Sequence, residues 1–274
     1  MSGLVARFLG SPGNRIFVVS RRPAARASGT SVLLAPPFGE EMNKTRKMYS
    51  DVALALAERG IASVLPDLFG TGDSDGEFRD ADWSRWIENL STAVGWMADE
   101  GWPVRGVLGT RLGCSLAAEA VRASGLQLQA SVFWQPVADG ARFLTQFLRL
   151  RVAASMMEQD NKETVGGLRQ RMRGGEVLEV AGYDVSPLLA QQLEGVRLND
   201  ALGAGLGALH WMEVVRDAQA PLPADADRAV TQARNSGIEL QVHVTAGEPF
   251  WTSTEIVRLP ALTANTVNAL SALA

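Results

Sequence analysis

Short apolar runs alternate with helix-length amphipathic stretches along this 274-residue chain, and that alternation calls for an α/β fold with a mostly parallel sheet covered by helices. Strands are expected at Arg15–Val19, Ser31–Ala35, Ile61–Leu65, Val104–Leu108, Gln129–Trp134, Leu209–Val215 and Glu239–Thr245. The first two are split by a turn region at Ala24–Thr30. Between the strands, Asn43–Glu58 carries Met48, Val52, Ala55 and Leu56 at helical spacing, and Ala81–Met97 sets Trp83, Trp86, Ile87, Leu90, Val94 and Met97 on one stripe. A further helix is expected near Asp225–Ser236. Residues 139–200 break this rhythm. There the pattern is helical, with Phe143, Phe147, Leu148, Leu150, Met156 and Met157 interleaved with arginines such as Arg142, Arg149, Arg151, Arg169, Arg171 and Arg173, and Gly166-Gly167 and Gly174-Gly175 read as hinges.

One local pattern adds chemistry to the frame. Residues 109–113 read Gly-Thr-Arg-Leu-Gly, between the strand at Val104–Leu108 and a helical run at Cys114–Ala120. Glycine, any residue, a central residue, any residue, glycine is the pattern of a sharp strand-to-helix turn, the nucleophile elbow, whose central side chain is thrust into a cleft. A serine is expected at the centre and Arg111 stands there.

Composition excludes several function classes. The net charge is −4 and the basic residues are scattered, which argues against nucleic acid or an anionic membrane surface as the main partner. The single cysteine, Cys114, removes an internal disulfide and a cysteine-based metal site, and no cofactor motif is visible. Residues 1–30 hold no apolar core of signal-peptide length, and no later apolar run reaches the roughly 20 residues a membrane span needs. The expectation is a soluble, cytoplasmic chain without a membrane span.

Several segments together resemble the α/β-hydrolase superfamily. Asp67-Leu68-Phe69-Gly70-Thr71-Gly72-Asp73-Ser74 is similar to its Asp-x-x-Gly-x-Gly-x-Ser loop, and Pro36-Pro37-Phe38-Gly39-Glu40-Glu41 sits where such proteins carry their oxyanion loop. More narrowly, Ala35–Lys44 resembles the exosortase A system-associated hydrolase 2 family. So do Trp134-Gln135-Pro136-Val137 with Arg142–Arg149, and Gly247-Glu248-Pro249-Phe250-Trp251. The resemblance covers roughly residues 30–255. It implies a single α/β-hydrolase domain over 1–274 with a helical cap at about 139–200, in a bacterial protein linked to exopolysaccharide production and PEP-CTERM sorting.

The resemblance also places the catalytic positions. A serine hydrolase needs a nucleophile, a histidine and an orienting acid, in that chain order with the histidine last. Here the nucleophile position is Arg111. The acid position falls on Gln219, with Asp217 the nearest carboxylate, and the histidine position falls on Glu248. His210 and His243 lie inside expected strands and read as structural. Cys114, Ser115 and Ser74 read as packing or turn residues.

An arginine stays protonated and is neither nucleophile nor base, so it needs an anion nearby. Two readings stay open. Arg111 pairs with Glu248, with Glu40 or Glu41 as further partners, and locks the cleft. Alternatively it holds an anionic group on a ligand seated among Phe38, Gly39, Glu40 and the amides of Leu112 and Gly113. The expected function is therefore a hydrolase-like protein with a degenerate triad that binds an acyl or anionic ligand, or a partner from the exosortase and exopolysaccharide system. The alternatives are an ester, thioester or amide hydrolase in which Glu248 activates water, and a structural subunit with an empty cleft.

Overall fold

The computed structural model describes residues 3–24, 29–156 and 163–273. Most of the Ala24–Thr30 turn region, and Met157, lie outside them. β1 (Gly3–Leu9) and β2 (Ile16–Arg22) form an antiparallel pair at one side of an eight-stranded sheet. Then come β3 (Ser31–Ala35), α1 (Glu40–Glu58), β4 (Ala62–Pro66), α2 (Trp83–Asp99), β5 (Val104–Thr110), α3 (Leu112–Ser124) and β6 (Ala130–Trp134). After β6 the chain leaves the sheet through α4 (Gly140–Ser155), α5 (Val165–Arg173), the hairpin β7 (Leu178–Val180) and β8 (Tyr183–Val185), α6 (Pro187–Gly195) and α7 (Leu198–Ala201). It returns as β9 (Ala208–Val215), α8 (Ala224–Asn235), β10 (Leu240–Ala246) and α9 (Pro260–Ala269).

The strand order is β1-β2-β4-β3-β5-β6-β9-β10, parallel from β4 to β10. β3 and β6 are buried along their whole length, as central strands of a parallel sheet covered on both faces must be. α1 and α9 cover one face, where Met48, Tyr49, Val52 and Leu56 meet Leu262 and Val267. α2, α3 and α8 cover the other. The stripe expected on α2 is the buried one: Trp83, Trp86, Leu90, Val94 and Met97 all face the core, while Ile87 packs half-buried at its margin. Asp82 caps this helix by accepting the Arg85 N–H at 3.0 Å. Asp82→Ala is expected to cost about 1 kcal/mol in chemical denaturation and Asp82→Asn much less. Equal losses in the two variants would refute the cap's role.

Two elements were not expected, and one expectation needs correction. β1 was not foreseen, because its alternation leaves Leu4 and Phe8 exposed at a sheet edge. Nor was α9, whose stretch has a weak apolar stripe and no side-chain cap. Gly166-Gly167 does not hinge: both residues lie in the first turn of α5, where Thr164 caps the helix. The excursion after β6 shares the main core through Phe143, Leu144, Leu148, Leu168 and Leu189. Four of its arginines are spent on internal pairs. Arg151 and Arg171 share Glu163, and Arg169 and Arg173 share Glu194.

Candidate functional site

The elbow is built as the glycine spacing demands. Arg111 takes φ 56° and ψ −123°, a conformation a non-glycine residue holds only where its surroundings over-determine it. A Cβ at position 109 would stand 2.7 Å from Cys114 Cα, and one at position 113 only 2.4 Å from the Ala35 carbonyl oxygen. Both glycines are therefore fixed by close backbone approach. The Arg111 N–H donates to Trp134 O at 2.9 Å, tying the turn to the end of β6.

The side chain of Arg111 is 17 % exposed and does not meet Glu248. Its Nε donates to Glu41 Oε1 at 3.2 Å, and its Nη1 lies 3.4 Å from Gln135 O. Glu248 is exposed. The loop after β10 does reach the elbow, but it brings Trp251, whose ring centre is 5.4 Å from the Arg111 guanidinium carbon. Among the partners expected for Arg111, the structure selects Glu41. Glu40 turns outward to Lys44, Asn43 and the Tyr183 hydroxyl. Burial pushes the Glu41 carboxyl above its ordinary range, and the neighbouring Arg111 opposes that shift. Its Oε2 is buried without a hydrogen-bond partner.

Asp217 and Gln219 are both exposed in the β9–α8 loop, where Asp217 Oδ1 accepts the Gln219 N–H. The histidines face one another, His210 Nδ1 to His243 Nε2 at 3.0 Å. Burial lowers the pKa of both, with His243 adding to the effect on His210, so at neutral pH they form a neutral pair. Cys114 is fully buried, and burial raises its thiol well above the usual value, as a packing residue's would be. Ser74 ties its loop to β2, donating to Asp67 O and accepting the Phe17 N–H.

The pocket expected along the oxyanion loop is closed. Phe38 sits among Phe78, Trp86, Phe143 and Phe147 with ring centres 5.2–5.8 Å away. The space left beside Phe38, Gly39 and Leu112 is about 10 Å³, scarcely room for one water. Leu112 and Gly113 open α3, whose first N–H groups lack intrahelical partners. Both residues are nevertheless fully buried.

The open volume lies on the other side of Arg111. A cavity of about 540 Å³ runs between the elbow, the start of α4, α7 and the start of α8. Four arginines and four acidic residues line it. At its inner wall stands Glu213, 1 % exposed, on β9. Burial raises its carboxyl to about 7 against the opposing effects of the Trp211 N–H and Arg111. Glu213 was not foreseen. Its signal was present, since a carboxylate inside the apolar run Leu209–Val215 has to be buried or at a strand end. Among the described residues no group of three or more His, Cys, Asp or Glu side chains could hold a metal ion. None of the described helices is long and apolar enough to cross a membrane.

Comparison with known proteins identifies the scaffold. The family model described as X-Pro dipeptidyl-peptidase (S15 family) matches residues 13–165, more than half of the chain. Est1E from Butyrivibrio proteoclasticus with bound ferulic acid superposes with a TM-score of 0.70 at 14 % identity, over 97 % of this chain and 98 % of its own. A thermostable carboxyl esterase from Bacillus coagulans gives 0.67 at 10 % identity, over 99 % of both chains. A putative hydrolase from Agrobacterium vitis gives 0.61 at 16 % identity, over 100 % of this chain and 99 % of its own. Comparison with curated proteins gave no match. At these identities the structural likeness establishes the α/β-hydrolase fold.

Proposed function

This chain belongs to the X-Pro dipeptidyl-peptidase (S15) family, and from that premise we propose that it is a hydrolase-fold protein that forms no acyl-enzyme and binds a ligand beside Arg111. One observation carries the reading: the residue at the nucleophile position is an arginine held by Glu41. A guanidinium cannot attack a carbonyl or take a proton at neutral pH. The remaining positions do not compensate, because Gln219, Asp217 and Glu248 are all exposed. The cap reading of residues 139–200 fits this picture, with Phe143 and Phe147 closing the space where an acyl chain would enter. A place in the exosortase and exopolysaccharide system rests on the three sequence strings that resemble that family. An acyl or anionic ligand at the oxyanion loop has no room while that space stays filled, which moves the ligand site to the open cavity.

The test is turnover of p-nitrophenyl esters, acyl thioesters and Xaa-Pro amides by wild type, Arg111→Ala, Arg111→Ser and Glu248→Gln. No turnover above background is expected in any of the four proteins. Arg111→Ser gains none, since a serine without its base keeps little of the triad's effect. Wild-type turnover abolished by Arg111→Ala or Glu248→Gln would overturn the reading and establish a hydrolase of the water-activating kind.

A further inference from the structure

The cavity beside the elbow holds one buried carboxylate with an unanswered oxygen. Its four arginines are all paired: Arg111 with Glu41 at 3.2 Å, Arg142 with Asp225 at 2.6 Å, Arg197 with Asp139 at 3.6 Å, and Arg228 with Asp225. Glu213 differs. Its Oε1 accepts the Trp211 indole N–H at 2.6 Å, while its Oε2 is buried without a partner. A buried acceptor left in that state is costly, and an ionised one more so.

We propose that this cavity binds a small polar molecule carrying a protonated amine, whose N–H donates to Glu213 Oε2. Charge decides between ligand classes. Arg111 and Glu41 together are neutral, so an ionised Glu213 leaves the inner wall at about −1, and one ammonium brings it to zero. An anion would have to displace Glu41 from Arg111 or force a proton onto Glu213. At the starts of α4, α7 and α8 three arginines, Arg142, Arg197 and Arg228, and three acids, Asp139, Asp200 and Asp225, face the cavity, so this rim carries no net charge. The volume, about 540 Å³, falls in the usual small-molecule range of roughly 300–1,000 Å³. Phe143, Val137 and Ala229 add apolar wall for the body of the ligand. Near neutrality the Glu213 carboxyl is about half protonated, so binding an ammonium expels its proton.

The assignment rests on the elbow reading only in taking the Arg111–Glu41 pair as fixed. The two fail separately: ester turnover would sink the elbow reading and leave amine binding to be measured on its own.

The experiment is calorimetric titration of the full chain with three probes of one shape, cyclohexylamine, cyclohexanol and cyclohexanecarboxylate. Each is run near pH 7 in two buffers of different ionisation enthalpy. The amine is expected to bind at least about tenfold more tightly than the alcohol, as a charge-assisted contact should. It should release about half a proton per molecule bound. Its affinity should rise with pH up to about 7 and level off above. Glu213→Gln, which keeps an acceptor for Trp211, should lose both the preference and the proton release. Should that variant not fold, the proton release and pH profile of wild type decide alone. Equal or tighter binding of the alcohol or carboxylate, amine binding without proton release, or no amine binding up to about 50 mM would overturn the proposal.

Discussion

Replacing Arg111 with alanine is expected to lower stability by about 3 kcal/mol near pH 7.5, the scale for breaking one side of a buried ion pair. The loss comes mainly from Glu41. With Arg111 gone, its carboxyl keeps the burial that raises its pKa and loses the neighbour that opposed it. The variant's folded Glu41 therefore holds its proton to a higher pH than the unfolded chain does. The sign follows from linkage: a group whose folded pKa lies above its unfolded value loses stability as pH rises through that window. The deficit should shrink to about 1 kcal/mol below about pH 4, where both states hold the proton and only packing against Trp251 and the contact with Gln135 are missing. A second substitution, Glu41→Gln, should recover most of the neutral-pH loss. Urea denaturation across pH measures all three proteins. A deficit below about 0.5 kcal/mol, or one that ignores pH, would show that Arg111 does not neutralise Glu41.

Glu213→Gln should be more stable than wild type near pH 8, by about 2 kcal/mol, and no more stable near pH 4.5. The folded Glu213 carboxyl titrates at about 7 against an ordinary value of 4.5. Its contribution is complete below the unfolded pKa and is lost as pH rises through about 7. That span corresponds to about 3 kcal/mol, reduced by the buried amide N–H that glutamine brings. Asp75, held at about 2 first by its side-chain hydrogen bond from Arg15, destabilises the fold in strong acid, but equally in both proteins. The difference curve isolates Glu213. A variant less stable than wild type at every pH would mean that the carboxylate is already answered in solution. A bound cation or an ordered water could do so.

The frame of this protein was legible in its residues because it rests on local requirements. Apolar strands separated by helical stripes specify a parallel sheet, and β3, β4, β5, β6, β9 and β10 fall within a residue or two of their expected bounds. The elbow was legible for a similar reason, since Gly109 and Gly113 answer backbone contacts made within one turn and with the neighbouring strand. The weakly patterned ends were not: β1 leaves Leu4 and Phe8 to solvent, and α9 has little stripe to read.

The partners of Arg111 are another matter. That an arginine at this position needs an anion follows from its charge alone. Which anion answers it depends on where β3 delivers α1, and on the turn after β10 presenting Trp251 inward and Glu248 to water. The cavity depends on the order β5-β6-β9, which brings Glu213 within reach of the Arg111 charge across about 100 residues of chain. Periodicity and turn chemistry act over a few residues, so the sequence by itself determined the sheet and the elbow. Burial and charge pairing act between segments that only the folded chain brings together, so the tertiary structure alone decided which carboxylates share the site.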